Sequence, residues 1–304
     1  MTASQTNVID IQPVAGSLGA EITGVELRPD SSDDVVALVR QAILEHKVVF
    51  VRGQDHLDDD LQAGFARRLG ELTTAHPTVP GAESNTNVLP VDAERGNRAN
   101  SWHHDVTFVQ APPSFSLLRA IVLPPYGGDT AWANTVSAYE SLPDSLKQLA
   151  EQLWAVHTND YDYSASHAVA AVTEQAKRYR EQFTSTVYRT EHPVVRIHPE
   201  TGEKTLLLGH FAQKFAGYNG SDSRHLFEIL QNHVSRLENT VRWRWAPGDI
   251  AIWDNRLTQH YAVSDFGDTP RRLHRVTVAG DVPVSVDGRS SVALQGDASA
   301  YTPA

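Results

Sequence analysis

Cysteine is absent from all 304 residues, and methionine occurs once. The chain therefore forms no disulfide, offers no thiol nucleophile and cannot build a cysteine-ligated zinc or iron–sulfur site. A metal here would rest on nitrogen and oxygen donors, which suit hard or borderline ions. Long apolar runs are missing as well. Nothing approaches the roughly 18 residues of a membrane-spanning helix, and MTASQTNVID at the start lacks the charge and apolar core of a secretory signal. A cytoplasmic location with no membrane partner is expected. Basic residues are few and scattered, 26 Lys and Arg against 37 Asp and Glu for a net charge of −11. No basic stripe follows from them, and no nucleic-acid partner is expected. The G-x-G-x-x-G, Walker and G-x-S-x-G motifs do not occur.

What is present is an ordinary globular composition, 40% hydrophobic and 8% aromatic. No Pro/Gly/Ser-rich linker interrupts it before about residue 284, so one catalytic domain over 1–304 is expected, with 284–304 as a flexible C-terminal tail. Residues 8–28 alternate apolar and polar positions around Gly16 and Gly19, which predicts a hairpin. Val35, Val36, Val39, Ile43 and Leu44 recur at helical spacing behind capping Ser and Asp residues, and a second helix is predicted over 59–69, ending at Gly70. Further helices are predicted near 136–153 and 221–235. Strands are predicted at 47–52, 114–123, 192–198, 204–209, 241–245, 249–254 and 272–280. Many strands, with helices grouped between them, predict a mainly β fold with flanking helices: an antiparallel barrel or sandwich.

The stretch SWHHDVTF, 101–108, places two histidines and an aspartate together. With 14 histidines in the chain, a His-x-Asp triplet is expected about once by chance. It occurs twice. His56-Leu57-Asp58 stands just ahead of a predicted helix, where Asp58 or Asp59 is best read as an N-cap. His103 and Asp105 lie two apart in a segment of strand character, so both side chains share a face while His104 points away. Two histidines and a carboxylate on one face of a metal leave open positions for cosubstrate and oxygen, so a distal histidine is required. His260, at the end of DIAIWDNRLTQH, is the candidate.

The stretches WHHDVTF, GGDTAWAN (127–134), TEHPVVRIHPETGEKTLLL (190–208), VRWRWAPGDIAIWDNRLTQHYA (241–262) and RRLHRVTVAGDVP (271–283) closely resemble the taurine dioxygenase family of iron(II)- and 2-oxoglutarate-dependent oxygenases. LWAVHTNDYDY (153–163) and the TEHPVVRIHPETGE run are most similar to its alkylsulfate dioxygenases, or alkyl sulfatases. The resemblance implies a double-stranded β-helix, or jelly roll, with His103, Asp105 and His260 as iron ligands. It implies Arg272 and Thr130 as the residues that hold 2-oxoglutarate. Arg275 and His76 fall on substrate positions that hold a sulfonate or sulfate, although Arg275, three residues after Arg272, should by simple alternation face the other way. Val79, Ala99, Tyr163 and Phe211 replace or flank the polar contacts expected around taurine. An apolar pocket of that kind discriminates weakly among alkyl chains, so a larger, more apolar substrate than taurine is expected. His104 stands where relatives usually carry threonine, and no direct chemistry is assigned to it.

The implied activity is an oxidoreductase using Fe(2+), 2-oxoglutarate and O2 to hydroxylate the carbon beside a sulfo group of a small anionic organic substrate, releasing succinate and CO2. An alkyl sulfate would yield aldehyde and inorganic sulfate. The alternatives are a sulfonate or aryloxyalkanoate substrate, a non-redox metallohydrolase using the same triad, and a catalytically silent binding protein of the same fold. Relatives imply a homo-oligomer, a dimer or tetramer.

Overall fold

The computed structural model of the protein describes residues 8–93, 99–160 and 174–302. A seven-stranded sheet has the order Asp10–Pro13, Ala20–Thr23, Val48–Val51, Ile250–Asp254, Phe115–Val122, Arg272–Val278 and Leu89–Asp92. Its one parallel contact is Ala20–Thr23 beside Val48–Val51. The connection between them is a crossover through the helix Asp33–His46, as a parallel pair requires. The hairpin predicted at 8–28 is the antiparallel pair Asp10–Pro13 with Ala20–Thr23.

Alternation along these strands separates two cores. Val49, Val51, Phe115, Leu117, Ile250, Ile252, Val276 and Val278 face the helices Asp33–His46 and Asp59–Leu69 and pack on Val36, Val39, Phe65 and Ala66. Both helices start on acceptors that satisfy otherwise free backbone N–H groups. Ser32 accepts from Val35 N, and Asp58 accepts from Leu61 N. The His56-Leu57-Asp58 triplet is thus structural, with His56 Nε2 on the Leu27 carbonyl at 2.9 Å.

The opposite face of the sheet meets a three-stranded sheet, Thr240–Trp243, Thr130–Asn134 and Thr258–Ala262. Between them lies an aromatic core. Phe50 stacks on Trp243 at 4.0 Å, and Trp132 meets Phe50 and Trp253 edge-on at 5.3 and 5.6 Å. A four-stranded sheet (Ala212–Phe215, Trp154–Thr158, Arg189–Pro193, Val292–Gln295) and a three-stranded one (Lys204–Leu206, Val195–Ile197, Val284–Ser285) complete the β structure. The fold is mainly β with flanking helices.

Two expectations are corrected. The helix predicted near 136–153 is two, Thr135–Glu140 and Asp144–Gln152, because Pro143 sits at the N-cap of the second and cannot continue the first. The segment beyond 284 is no free tail. Val284–Ser285 pairs with Val195–Ile197, Val292–Gln295 pairs with Arg189–Pro193, and Tyr301 is buried in a cluster with Phe108, Phe183, Tyr188 and Phe211. Among the described residues no helix is long and apolar enough to cross a membrane.

Tyr301→Ala is expected to lower the unfolding free energy by about 3 kcal/mol in urea titration, because it removes a buried ring from a packed cluster. A free tail would leave the midpoint unmoved.

Candidate metal centre and the cavity around it

His103 and His260 are backbone partners. His103 N donates to the His260 carbonyl at 3.1 Å, and His260 N donates to the His103 carbonyl at 2.8 Å. Their rings lie 4.0 Å apart. His103 is an isolated bridge residue, not part of the strand expected there, and Asp105 opens a turn in which Val106 has φ +53°. Asn255 closes that turn. Its Oδ1 accepts from Asp105 N at 2.7 Å, and its Nδ2 donates to the Asp105 carbonyl at 3.1 Å. Asp105 therefore returns to the His103 side by a turn and not by strand alternation.

His104 does point away, as expected. It is fully buried, with Nδ1 donating to the Asn255 carbonyl at 2.7 Å. Burial lowers its pKa to about 4, so the ring is neutral. Its place is structural, beneath the turn.

Asp105 Oδ1 stands 3.9 Å from His103 Nε2 and 3.7 Å from His260 Nε2. One donor atom from each of the three residues lies within 4.8 Å of the others, the one such cluster among the described residues. Each donor is prepared for a cation. His103 Nδ1 donates to the Ser101 carbonyl at 2.7 Å, which puts the ring proton on Nδ1 and makes Nε2 the acceptor nitrogen. Burial holds both imidazoles well below their usual pKa and hence neutral. Ser116 donates to Asp105 Oδ2 at 2.7 Å and so turns Oδ1 inward. With nitrogen and oxygen donors only, the set fits a two-histidine, one-carboxylate site.

The cavity over this cluster is lined by His76, Ala99, Phe108, Thr130, Phe183, Phe211, Arg271, Leu273 and Arg275, among others. Burial alternates along 271–275, so Arg271, Leu273 and Arg275 share the inner face. Arg272 is corrected here. It points outward, with its side chain 39% exposed and Nε on Asp92 at 2.8 Å, and the residue on the cavity is its neighbour Arg271. Simple alternation opposes Arg272 and Arg275 sharing a face; the arginine four residues before Arg275, the first of the Arg-Arg pair, is the one that shares it.

Arg271 is buried and donates from Nε to the Gly128 carbonyl at 2.7 Å and from Nη2 to Thr130 Oγ1 at 3.2 Å. No carboxylate among the described residues lies within ion-pair distance of it, and desolvation lowers its pKa to about 10, leaving it charged. Thr130 Oγ1 also accepts from Trp245 Nε1 at 3.0 Å, so its own proton is free to be donated elsewhere. Arg275 donates from Nη1 to Asp105 Oδ1, and its Nε is buried without a partner. His76 Nδ1 accepts from Thr78 N and Val79 N at 3.1 and 3.2 Å, which puts the ring proton on Nε2. Burial and the nearby Arg275 cation lower its pKa to about 3. Val79 acts through that backbone N–H and through packing on the aromatic cluster, and is not among the residues on the cavity wall. Tyr163 lies outside the described residues. Ser116, Asn255, Trp245 and Phe183 were not anticipated; their types carry no motif, and only the fold brings them here.

Residues 10–277 match the model of the family described as "Taurine catabolism dioxygenase TauD, TfdA family". The alpha-ketoglutarate-dependent sulfate ester dioxygenase of Pseudomonas putida is 57% identical over 290 residues, 95% of this chain and 96% of that protein. An alkylsulfatase of Acinetobacter baylyi is 51% identical over 283 residues, covering 93% and 89%. The crystal structure of a taurine dioxygenase from Burkholderia xenovorans superposes with a TM-score of 0.80 at 37% identity, covering 95% of each chain.

Ser116→Ala should weaken divalent-metal binding about tenfold, because the carboxylate loses the donor that orients it. Titration of the apoprotein with Co(II), followed by its visible absorption, measures this. An unchanged affinity would remove Ser116 from the site.

Proposed function

From the premise that the chain belongs to the taurine catabolism dioxygenase TauD, TfdA family, we propose that it is an iron(II)- and 2-oxoglutarate-dependent dioxygenase that cleaves alkyl sulfate esters to aldehyde and inorganic sulfate. The facing sheets are read as a double-stranded β-helix. The observation that carries the reading is the buried His103-Asp105-His260 cluster with two arginines, Arg271 and Arg275, on one sheet face beside it. A buried guanidinium is costly unless an anion joins it. Arg271, with no carboxylate partner among the described residues, calls for an anion such as the oxo acid; Arg275 reaches Asp105 with Nη1 but leaves Nε without a partner, a donor for a sulfated substrate.

Bound iron(II), 2-oxoglutarate and O2 would supply the oxidation, in which the oxo acid becomes succinate and CO2 and one oxygen atom enters the C–H bond beside the sulfo group. His103, Asp105 and His260 would hold the metal. Arg271 would grip the distal carboxylate of 2-oxoglutarate as a planar fork, with the Thr130 hydroxyl donating beside it. Arg275 and the Nε2–H of His76 would hold the sulfo group, His76 as a neutral donor at physiological pH. Phe108, Phe183 and Phe211 would enclose the alkyl chain and exclude water. Once hydroxylated, the carbon carries both hydroxyl and sulfate; the C–O bond to sulfate breaks with its electron pair, the hydroxyl proton leaves, and the carbonyl forms.

Incubation with hexyl sulfate should release sulfate and succinate in equal amounts, only when both O2 and 2-oxoglutarate are supplied, whereas taurine should release little sulfite. Sulfate released anaerobically would establish hydrolysis instead, and succinate formed with taurine but not with any alkyl sulfate would assign a sulfonate substrate.

Arg271→Ala should raise the KM for 2-oxoglutarate on the order of a hundredfold. Arg272→Ala, which loses a partly exposed ion pair, should change it less than about threefold. Steady-state kinetics of the two variants in parallel decides which arginine serves the oxo acid.

A further inference from the structure

Beyond the metal-centre cavity, a second pocket, open to solvent, lies along the C-terminal segment. Its walls include Tyr188, Thr190, Ala293, Asp297 and Ala298. The two cavities have one lining residue in common among those described, Phe108. That ring is fully buried and stands edge-on to Phe211 at 5.0 Å and to Phe183 at 5.9 Å, with Tyr188 at 6.0 Å and His76 at 5.8 Å. Phe108 thus borders both the metal-centre cavity and the pocket along the C-terminal segment.

We propose that Phe108 is the end wall of the alkyl-chain channel, and that it limits the length of substrate by closing the site off from the solvent-open pocket along residues 293–302. The proposal rests on the alkyl sulfate reading above. The segment around Phe108 is anchored independently of its ring. Thr190 Oγ1 donates to the Phe108 carbonyl at 2.9 Å, and Val109 N donates to the Val106 carbonyl at 3.3 Å. Shortening the side chain therefore opens a passage without releasing the backbone. Each methylene that finds apolar surface there favours binding, whereas in the parent the same methylene must displace a packed ring. Ala298 also lines that pocket and packs on the same aromatic cluster, and it is small enough that a large side chain introduced there would fill the opened space.

The test is the ratio of kcat/KM for decyl sulfate to that for pentyl sulfate, read by succinate release. Phe108→Ala should raise this ratio roughly tenfold over the parent. Phe108→Leu, which preserves more of the packing and covers the case in which the alanine variant fails to fold, should raise it by a smaller factor. Phe108→Ala combined with Ala298→Trp should return the ratio to that of the parent. An unmoved ratio in a folded Phe108 variant overturns the proposal, and so does a gain that survives Ala298→Trp, since the added chain then runs elsewhere. Turnover of no alkyl sulfate by the parent overturns the substrate reading itself. Pentyl sulfate turnover by the parent with an unmoved ratio overturns only the wall.

Discussion

The two-residue alternation of the large sheet is the constraint on which both core and site depend. Along Arg272–Val278 and the residue before it, one set of side chains meets the helices or the outer edge and the other meets the metal cavity. Val276 and Val278 anchor the helical layer. Arg271, Leu273 and Arg275 carry charge, apolar surface and charge again to the opposite side. The neighbouring strand follows the same rule, with Phe115 and Leu117 toward the helices while Ser116 reaches Asp105 and Leu118 lines the cavity. A slip of one residue would bury the wrong set on both strands, so hydrophobic packing fixes the positions of the polar groups.

Much of this was legible in the sequence because it follows from local patterns. The capped helices at 33–46 and 59–69, the strands at 48–51 and 250–254 and the cluster of His103, Asp105 and His260 all have periodic or motif signals. The errors have physical causes. The His103–Asp105 pair was placed by strand alternation, yet a turn held by Asn255 brings Asp105 back, a long-range contact that no local pattern records. Arg271 and Arg272 are adjacent and identical in side chain, so a motif match does not tell them apart. Only register distinguishes them, and alternation counted from Arg275 would have selected Arg271. The C-terminal segment reads as a polar tail because its strands are short and Val292–Gln295 is exposed at every position; Tyr301 is the single large ring that docks it.

The cavity also separates like charges by giving them different tasks. Arg271 and Arg275 lie on one strand face, yet Arg271 is tied to Gly128 and Thr130 whereas Arg275 reaches Asp105. His76 stays uncharged beside Arg275 because protonating it would add a second buried cation there. One side of the cavity thus presents fixed positive charge, and the aromatic side contributes shape alone.

The reciprocal hydrogen bonds between His103 and His260 join segments far apart in the chain. Closing so long a loop is costly until the intervening strands are paired, so no local fragment of the chain can assemble the ligand set. Any ion that needs both imidazoles then binds the fully folded state and not its precursors. At a hundredfold excess over its dissociation constant, such an ion would stabilise that state by about 2.7 kcal/mol. Metal supply is thereby coupled to the amount of native protein, in addition to its activity.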